Sequence, residues 1–239
     1  GGINATNGSS INLEHAEIRY ASTGIDSYAS TFSVRNSSFS HLTYSGISLH
    51  QPSGFPTSSG QRVTPIITGN TFTNSTHSDP AYTIRTAIYI DNSSYDAYDV
   101  RTTNLQNNTG TGTGNNNIVL RGLVVHSNDT WTFGTNSMPV IISGPSAIAT
   151  GATLTIPAGT TIKFDTNSNS YSYHGSLSVA GSLIVTGTAE KPVTFTSLKD
   201  DTTAGDTNND ATTTKPATGD WGGINATNGS SINLEHAEI

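Results

Sequence analysis

Short runs of alternating apolar and polar residues recur along the whole chain, and Gly, Asn or Pro separates one run from the next. Each run is short and has a period of two, which is typical of strands with one buried side. A helical 3.6-residue period is absent, so we expect almost no helix. The predicted strands are residues 11–13, 16–20, 32–34, 47–49, 66–67, 88–90, 118–120, 123–125, 140–142, 154–156, 162–164, 177–179, 183–185 and 193–195.

An internal repeat sets the organisation of the chain. Residues 1–18, GGINATNGSSINLEHAEI, recur letter for letter at residues 222–239, so position 222 corresponds to position 1. Chance cannot produce such an identity, so we predict that residues 1–221 are one full tandem repeat in an arbitrary register. Residues 222–239 are then the start of the next, identical repeat, and both termini are expected to be cuts through a longer array.

The repeat also favours one architecture. Many short strands without helices between them are compatible with a sandwich, an antiparallel barrel or a β-solenoid. Only in a solenoid does each coil need its neighbours to cover its apolar side, so that repeats can follow one another without limit. We therefore predict coils of roughly 22–25 residues, about nine per period, that stack at the strand spacing into a stiff rod.

Asparagine phrases recur near the ends of predicted strands. They begin at Asn36, Asn70 and Asn107 and are followed by loops of unequal length. Asn side chains that stack along a solenoid axis can bond to one another. Three ordinary Asn turns are the alternative interpretation.

Several stretches carry a family resemblance. Residues 152–164 and 175–197 alternate apolar residues with small polar ones, and the phrase GDWGGI ends at residue 224, after an acidic loop. Together with residues 13–20, they resemble the right-handed parallel β-helix domains of large bacterial and archaeal surface proteins. The resemblance implies an all-β, right-handed parallel β-helix (β-solenoid) of pectin-lyase-like architecture. It also implies an exported stalk or adhesin, although fold alone does not fix function.

Composition excludes several classes of function. The net charge is -7 with 10 Lys and Arg, which do not cluster, so we expect no nucleic-acid partner. No apolar run approaches the roughly 20 residues of a membrane span. Cysteine is absent, which excludes disulfides and thiolate chemistry in this segment.

The strongest candidate site is the acidic loop, residues 200–210. Oxygen ligands at positions 206, 208 and 210 resemble the start of a calcium-binding loop. Ala211 stands where such a loop has Gly and no Glu closes it, so a solvated acidic turn is the alternative. We predict a structural Ca²⁺ here and expect no other cofactor. The candidate ligands are Asp200, Asp201, Asp206, Asn208 and Asp210.

A second candidate surface would contact sugars. Tyr89, Tyr95 and Tyr98 lie close to acidic residues, and exposed rings beside carboxylates suit carbohydrate contact. The alternative is that these rings pack the loop onto the helix side. For catalysis, the main strand carboxylates are Glu14, Glu17 and Asp91, but the sequence phrases of pectin-type hydrolases are absent.

These observations predict a non-catalytic structural or adhesive element of a secreted tandem-repeat surface protein or extracellular filament. Expected partners are further copies, which would associate head to tail through coil ends, and surface glycans. The alternative is a polysaccharide-binding or polysaccharide-degrading β-helix protein, either a lyase or a glycoside hydrolase. We expect a secreted, extracellular or cell-surface location.

Overall fold

The computed structural model shows a right-handed parallel β-helix that is almost entirely strand and turn, as the sequence predicted. The structure describes residues 2–51, 62–73, 86–93, 96–111, 116–134, 138–165 and 174–239. Every pair of hydrogen-bonded strands in its sheets runs parallel, for example β1 with β4, which are Ile3–Ala5 and Thr23–Ser27. Crossovers between parallel strands are right-handed in nearly all proteins.

Most coils contain three short strands. In chain order, the strands are β1 (Ile3–Ala5), β2 (Ser10–Glu14), β3 (Glu17–Arg19), β4 (Thr23–Ser27), β5 (Thr31–Arg35), β6 (Ser38–Ser40), β7 (Ser45–Leu49), β8 (Ile66–Thr68), β9 (Thr71–Thr73), β10 (Thr86–Asp91), β11 (Thr109–Thr111), β12 (Ile118–Arg121), β13 (Val124–Val125), β14 (Asp129–Thr130), β15 (Val140–Ser143), β16 (Pro145–Ile148), β17 (Thr153–Pro157), β18 (Thr161–Phe164), β19 (Ser176–Val179), β20 (Ser182–Thr186), β21 (Val193–Ser197), β22 (Ile224–Ala226), β23 (Ser231–Glu235) and β24 (Ala237–Glu238). Among the described residues the only helix is α1 (Thr102–Leu105), a single turn between β10 and β11.

Strand pairing and the packing of α1 define four faces. Face 1 is one continuous sheet of nine strands in the order β1-β4-β7-β10-β12-β15-β18-β21-β24. Face 2 contains β2-β5-β8, then α1, then β14-β17-β20-β23, because α1 packs on β8 and the N–H of Thr102 donates to Oδ2 of Asp129 on β14. Face 3 is the sheet β3-β6-β9-β11, and face 4 is the sheet β13-β16-β19-β22. Nine strands at about 4.8 Å spacing give face 1 a length of about 38 Å.

The core consists of apolar side chains that stack in rows along the axis. Strand register puts the same inward position of each coil directly above that of the coil before, so β-branched side chains pack on one another throughout. One row on face 1 is Ile25, Ile47, Ile88, Ile118, Val140, Ile162 and Phe195, and each member is at most 1% exposed.

A stack of Ser37, Asn70 and Asn108, which we call the asparagine stack, closes the corner between faces 2 and 3. It confirms one step of the ladder that the sequence suggested, between Asn70 and Asn108, whereas Asn36 instead donates to Glu14. Asn70 is fully buried. Its Oδ1 accepts the N–H of Ser37 at 3.0 Å, and its Nδ2 donates to Oδ1 of Asn108 at 3.0 Å and to the carbonyl of Val34. Asn108 in turn donates to the carbonyl of Ile67 at 2.7 Å. These side chains therefore satisfy backbone N–H and C=O groups at the corner, where no neighbouring strand is available to pair with them.

Coil length varies more than the sequence suggested. The pairing of Ile3 with Ile25 closes a coil within the predicted range of lengths. Other coils are longer, because Val193 pairs with Ala237 across the whole segment that contains the acidic loop. Since β23 repeats β2 and lies with it on face 2, in the coil that begins with the eighth strand of face 1, one period advances by seven coils. The prediction of about nine coils was therefore wrong.

Candidate functional site

Lys163 holds the acidic loop against the outer surface of face 1. This lysine lies on β18 and is fully buried. Its Nζ donates to the carbonyl oxygens of Asp200 at 2.6 Å and Gly205 at 2.8 Å, and to Oγ1 of Thr207 at 2.9 Å. Burial lowers the pKa of Lys163 to about 8, although the negative charges of nearby loop aspartates oppose that shift.

An apolar patch on the outside of face 1 packs against the start of the loop region. Val119 and Ile141 point outward, yet both are fully buried, and Leu198 packs against them. Nδ2 of Asn117 donates to the carbonyl of Thr207 at 3.3 Å. The loop therefore spans several coils of face 1 and is fixed by both apolar and polar contacts.

Asp220 fixes the chain just beyond the loop. Its Oδ2 accepts hydrogen bonds from Oγ of Ser197 at 2.8 Å and from the N–H of Ala217 at 2.9 Å. Its Oδ1 accepts a bond from Nζ of Lys199 at 2.8 Å. Burial alone would raise the pKa of Asp220, but these bonds outweigh burial and lower it.

Three carboxylates of the loop converge on one point. Asp201, Asp206 and Asp210 each offer an oxygen, and these oxygens lie within 4.8 Å of one another. Oδ1 of Asp201, Asn208 and Asp210 is buried and accepts no hydrogen bond from the described residues. Burial raises the pKa of Asp201, and the charges of Asp206 and Asp210 raise it further. This arrangement of hard oxygens suits a divalent cation.

The structure separates Asp200 from that group. Oδ1 of Asp200 accepts bonds from the N–H and hydroxyl of Thr202, and Oδ2 accepts one from Thr196 at 2.7 Å. Burial would raise the pKa of Asp200, but these bonds lower it. Of the five predicted ligands, the structure brings three carboxylates together and places Asn208 beside them, since its Nδ2 donates to Asp210 at 2.9 Å. The carboxylate of Asp200 instead stabilises the turn.

The three predicted sugar-contacting tyrosines have different outcomes. Tyr98 is 1% exposed, and its hydroxyl donates to the carbonyl of His50 at 2.7 Å. Its ring is therefore not available to a sugar, contrary to our expectation, because it lies within the apolar core. Tyr95 lies outside the described residues. Tyr89 is half-buried on the outside of face 1, with its hydroxyl 3.5 Å from Oδ2 of Asp91.

A group of rings and charges on the outside of face 1 was missed from the sequence. Nε2 of His50 lies 2.8 Å from Oδ1 of Asp26, and the ring of Tyr28 stacks on the imidazole with centroids 4.9 Å apart. The ring of Tyr89 lies 6.0 Å from the same imidazole. The signal was present in the spacing, because Tyr28 and His50 are separated by the length of one short coil. We call Asp26, Tyr28, His50 and Tyr89 the outer cluster.

The fold and the loop can now be compared with known proteins. Residues 125–238 match the family described as Pectate-lyase like beta helix domain. The match includes Lys163 and the acidic loop, and the described coils before residue 125 continue face 1 of the same β-helix. No curated protein and no solved structure gave a match. Nothing in the described part of the chain has the length and apolar character of a membrane-spanning helix.

The strand carboxylates considered for catalysis lie apart in this pectate-lyase-like fold. Glu14 is on β2, Glu17 on β3 and Asp91 on β10, so they belong to three different faces. Glu17 pairs with Arg19 at 3.5 Å on the exposed surface. Asp91 lies 3.3 Å from Nη1 of Arg121. The structure thus does not bring these three acids into one site.

Proposed function

We propose that this chain is a non-catalytic structural or adhesive unit of a secreted tandem-repeat protein, displayed at a cell surface or in an extracellular filament. The observation that supports this function is the uninterrupted nine-stranded face 1 above stacked apolar rows, together with the identical segments 1–18 and 222–239. Backbone hydrogen bonds along the axis and close packing make such a coil stack stiff.

The same proposal includes head-to-tail self-association. At one end of the described β-helix, Ile11 and Leu13 are only half-buried, and at the other end Leu234 is 39% exposed. Equivalent inward residues of the middle coils are fully buried. Another coil can pair with such strand edges and cover such apolar side chains. A head-to-tail contact that does not close into a ring generates filaments.

Scattering and sedimentation over a wide concentration range test this function. We expect the radius of gyration to grow with concentration as in an elongated rod, with the cross-section unchanged. Electron microscopy should then show filaments of constant width. Particles that stay monomeric at the highest concentration would contradict head-to-tail association.

We further propose that the acidic loop binds Ca²⁺ as a structural ion. Asp201, Asp206 and Asp210 would supply carboxylate oxygens, and the amide oxygen of Asn208 is available beside them. A cation there would offset the mutual repulsion of the carboxylates and pin the loop to the side of the β-helix. The bound ion would support the rod and would take no part in a reaction.

Calorimetric titration and thermal unfolding with and without CaCl₂ test this site. An ion that binds only the folded chain raises stability by about 2.7 kcal/mol at a hundredfold excess over Kd. The shift should disappear in Asp206→Asn and persist in the control Glu190→Gln, because Glu190 is an exposed residue outside the cluster. A calcium shift that is equal in both variants would contradict the assignment.

A second candidate function is contact with polysaccharide. The outer cluster favours it, because Tyr28 is 38% exposed and lies beside the hydrogen-bonding groups of Asp26 and His50 on the outside of face 1. Glycan-array binding should fall in Tyr28→Ala and Tyr89→Ala but not in Tyr20→Ala, whose ring is exposed elsewhere. New reducing or unsaturated ends after incubation with polysaccharides would instead indicate an enzyme.

A further inference from the structure

The repeated segment forms a coil of the same local shape at both ends of the β-helix. We call residues 2–18 the first junction coil and residues 223–239 the second. Gly8 and Gly229 occupy the same turn with φ of 78° and 83°, and His15 and His236 occupy the same corner with φ of 52° and 45°. The segment therefore adopts one conformation beside two different sets of neighbours.

Those neighbours lie on opposite edges of the coil. The first junction coil pairs with strands that follow it, namely β1 with β4, β2 with β5 and β3 with β6. The second pairs with strands that precede it, namely β22 with β19, β23 with β20 and β24 with β21. The structure thus shows which strands pair with each of the two edges of a coil that this sequence forms.

The inward side chains match on both edges. Ile3 lies opposite Ile25, and its copy Ile224 lies opposite Leu177. A coil that bound both neighbours would therefore continue one core row from Leu177 to Ile25, both at most 3% exposed. Two further rows continue in the same way: Leu183, Ile11 or its copy Ile232, and Phe32; and Val185, Leu13 or its copy Leu234, and Val34.

The two junction coils start on different faces. In the first, β1, β2 and β3 lie on faces 1, 2 and 3. In the second, the equivalent β22, β23 and β24 lie on faces 4, 2 and 1, so that only the middle strand keeps its face. A unit that continued from the second junction coil would consequently continue face 2 and would begin its own face 1 on face 4 of the unit before it.

We propose that one junction coil is shared between consecutive units, so that the second junction coil of one chain takes the place of the first junction coil of a second copy. Residues 223–239 then lie between β19–β21 of one copy and β4–β6 of the next. This inference rests on the head-to-tail association proposed above. The second junction coil replaces the first junction coil of the next copy strand for strand, and the displaced segment is released.

Engineered cysteines distinguish this arrangement from simple stacking, because the chain has no cysteine of its own. In the shared arrangement, Ser231 lies beside Thr31 of the other copy, as Ser10 lies beside Thr31 within one chain. If one junction coil merely stacked on the other, Ser231 would lie beside Ser10. All three positions are exposed, and neighbouring strands bring cysteines within disulfide reach.

The full chain carrying Ser231→Cys and Thr31→Cys should form intermolecular disulfides and a ladder of multiples of 24.9 kDa on non-reducing gels. The variant Ser10→Cys/Thr31→Cys should close within one chain and shows that the geometry permits the bond. A ladder in Ser231→Cys/Ser10→Cys instead, or assembly without the Ser231–Thr31 link, would overturn the shared coil alone. Absence of any assembly in scattering would overturn both proposals.

Two glycines allow the exchange to be driven in either direction. A Cβ on Gly2 would overlap the carbonyl oxygen of Gly24, so Gly2→Ala should release the first junction coil and increase the ladder several-fold. A Cβ on Gly187 would overlap the carbonyl oxygen of His236. Gly187→Ala should therefore weaken the packing of the second junction coil on its own chain and reduce the disulfide ladder on the gel several-fold. Equal ladders in both variants would overturn the proposal.

Discussion

Substitution of Asn70 by Ala tests whether the asparagine stack stabilises the β-helix. The side chain is fully buried, accepts the N–H of Ser37 and donates to the carbonyl of Val34. Each buried polar group that loses its partner costs about 1–3 kcal/mol. Two such groups give an expected loss of about 3 kcal/mol, which lowers the thermal midpoint by about 6–12 °C for a chain of this size.

Urea unfolding and hydrogen exchange measure that loss. Because coils depend on their nearest neighbours, exchange should accelerate most at β5, β6 and β9, which surround the stack, and least at β19 and β20. The control is Asn12→Ala, since Asn12 is an exposed residue of β2 and its removal should change stability by less than about 0.5 kcal/mol.

The variant Asn70→Asp refines the test, because it keeps the shape and removes the amide donors. A carboxylate would face the carbonyl of Val34 and Oδ1 of Asn108, so at pH 7 the loss should be at least as large as in Asn70→Ala. Burial would raise the pKa of this carboxyl above its unfolded value, so stability should be regained as pH falls and lost as pH rises through that pKa. If Asn70→Ala unfolds like Asn12→Ala, the reasoning is refuted.

Three further predictions concern the loop and the close packing of coils. The pKa of Asp220 is lowered in the folded chain, so its contribution is present above pH about 4 and is lost as pH falls through the folded pKa. Asp220→Asn should therefore cost about 1.5–3 kcal/mol in urea unfolding at pH 7 and much less near pH 2, and an equal cost at both would contradict this. Lys163→Met should speed proteolysis within residues 200–210 while the circular dichroism of the strands is retained, and the exposed control Lys215→Met should not. Gly181→Ala should destabilise the chain by about 1–3 kcal/mol in thermal unfolding, since its Cβ would overlap the backbone carbonyl of Ala152 in an adjacent coil.

Strands with two or more inward apolar residues could be predicted from sequence. Ile47 and Leu49, or Leu183 and Val185, show the period of two directly, and they lie on β7 and β20. Of the strands with a single inward apolar residue, β3 and β8 were predicted, but β6 with Phe39 and β9 with Phe72 were missed. So short a run carries too little periodicity to be recognised, and it is the neighbouring coil that makes it a strand.

The acidic loop could be predicted only in part. The spacing of Asp206, Asn208 and Asp210 indicated a cation site, and Asp201 completes the group of carboxylates. The sequence did not show that Asp200 turns its carboxylate to Thr196 and Thr202, nor that Lys163 binds the loop backbone. Lys163 lies more than a full coil before the loop in the chain, and only the winding of the coils brings them together.

The sequence by itself determined the solenoid, because a period of two repeated in short runs and an identical segment at both ends of the chain require coils that cover one another. Tertiary structure decided how long each coil is, which side chains meet on the outside of face 1, and on which face the repeated segment begins. The physical reason is that core rows constrain only the inward positions. An insertion between two strands leaves those rows intact. It changes the distance along the sequence between residues that are neighbours on adjacent coils, so their contacts on the outside cannot be predicted from a fixed spacing.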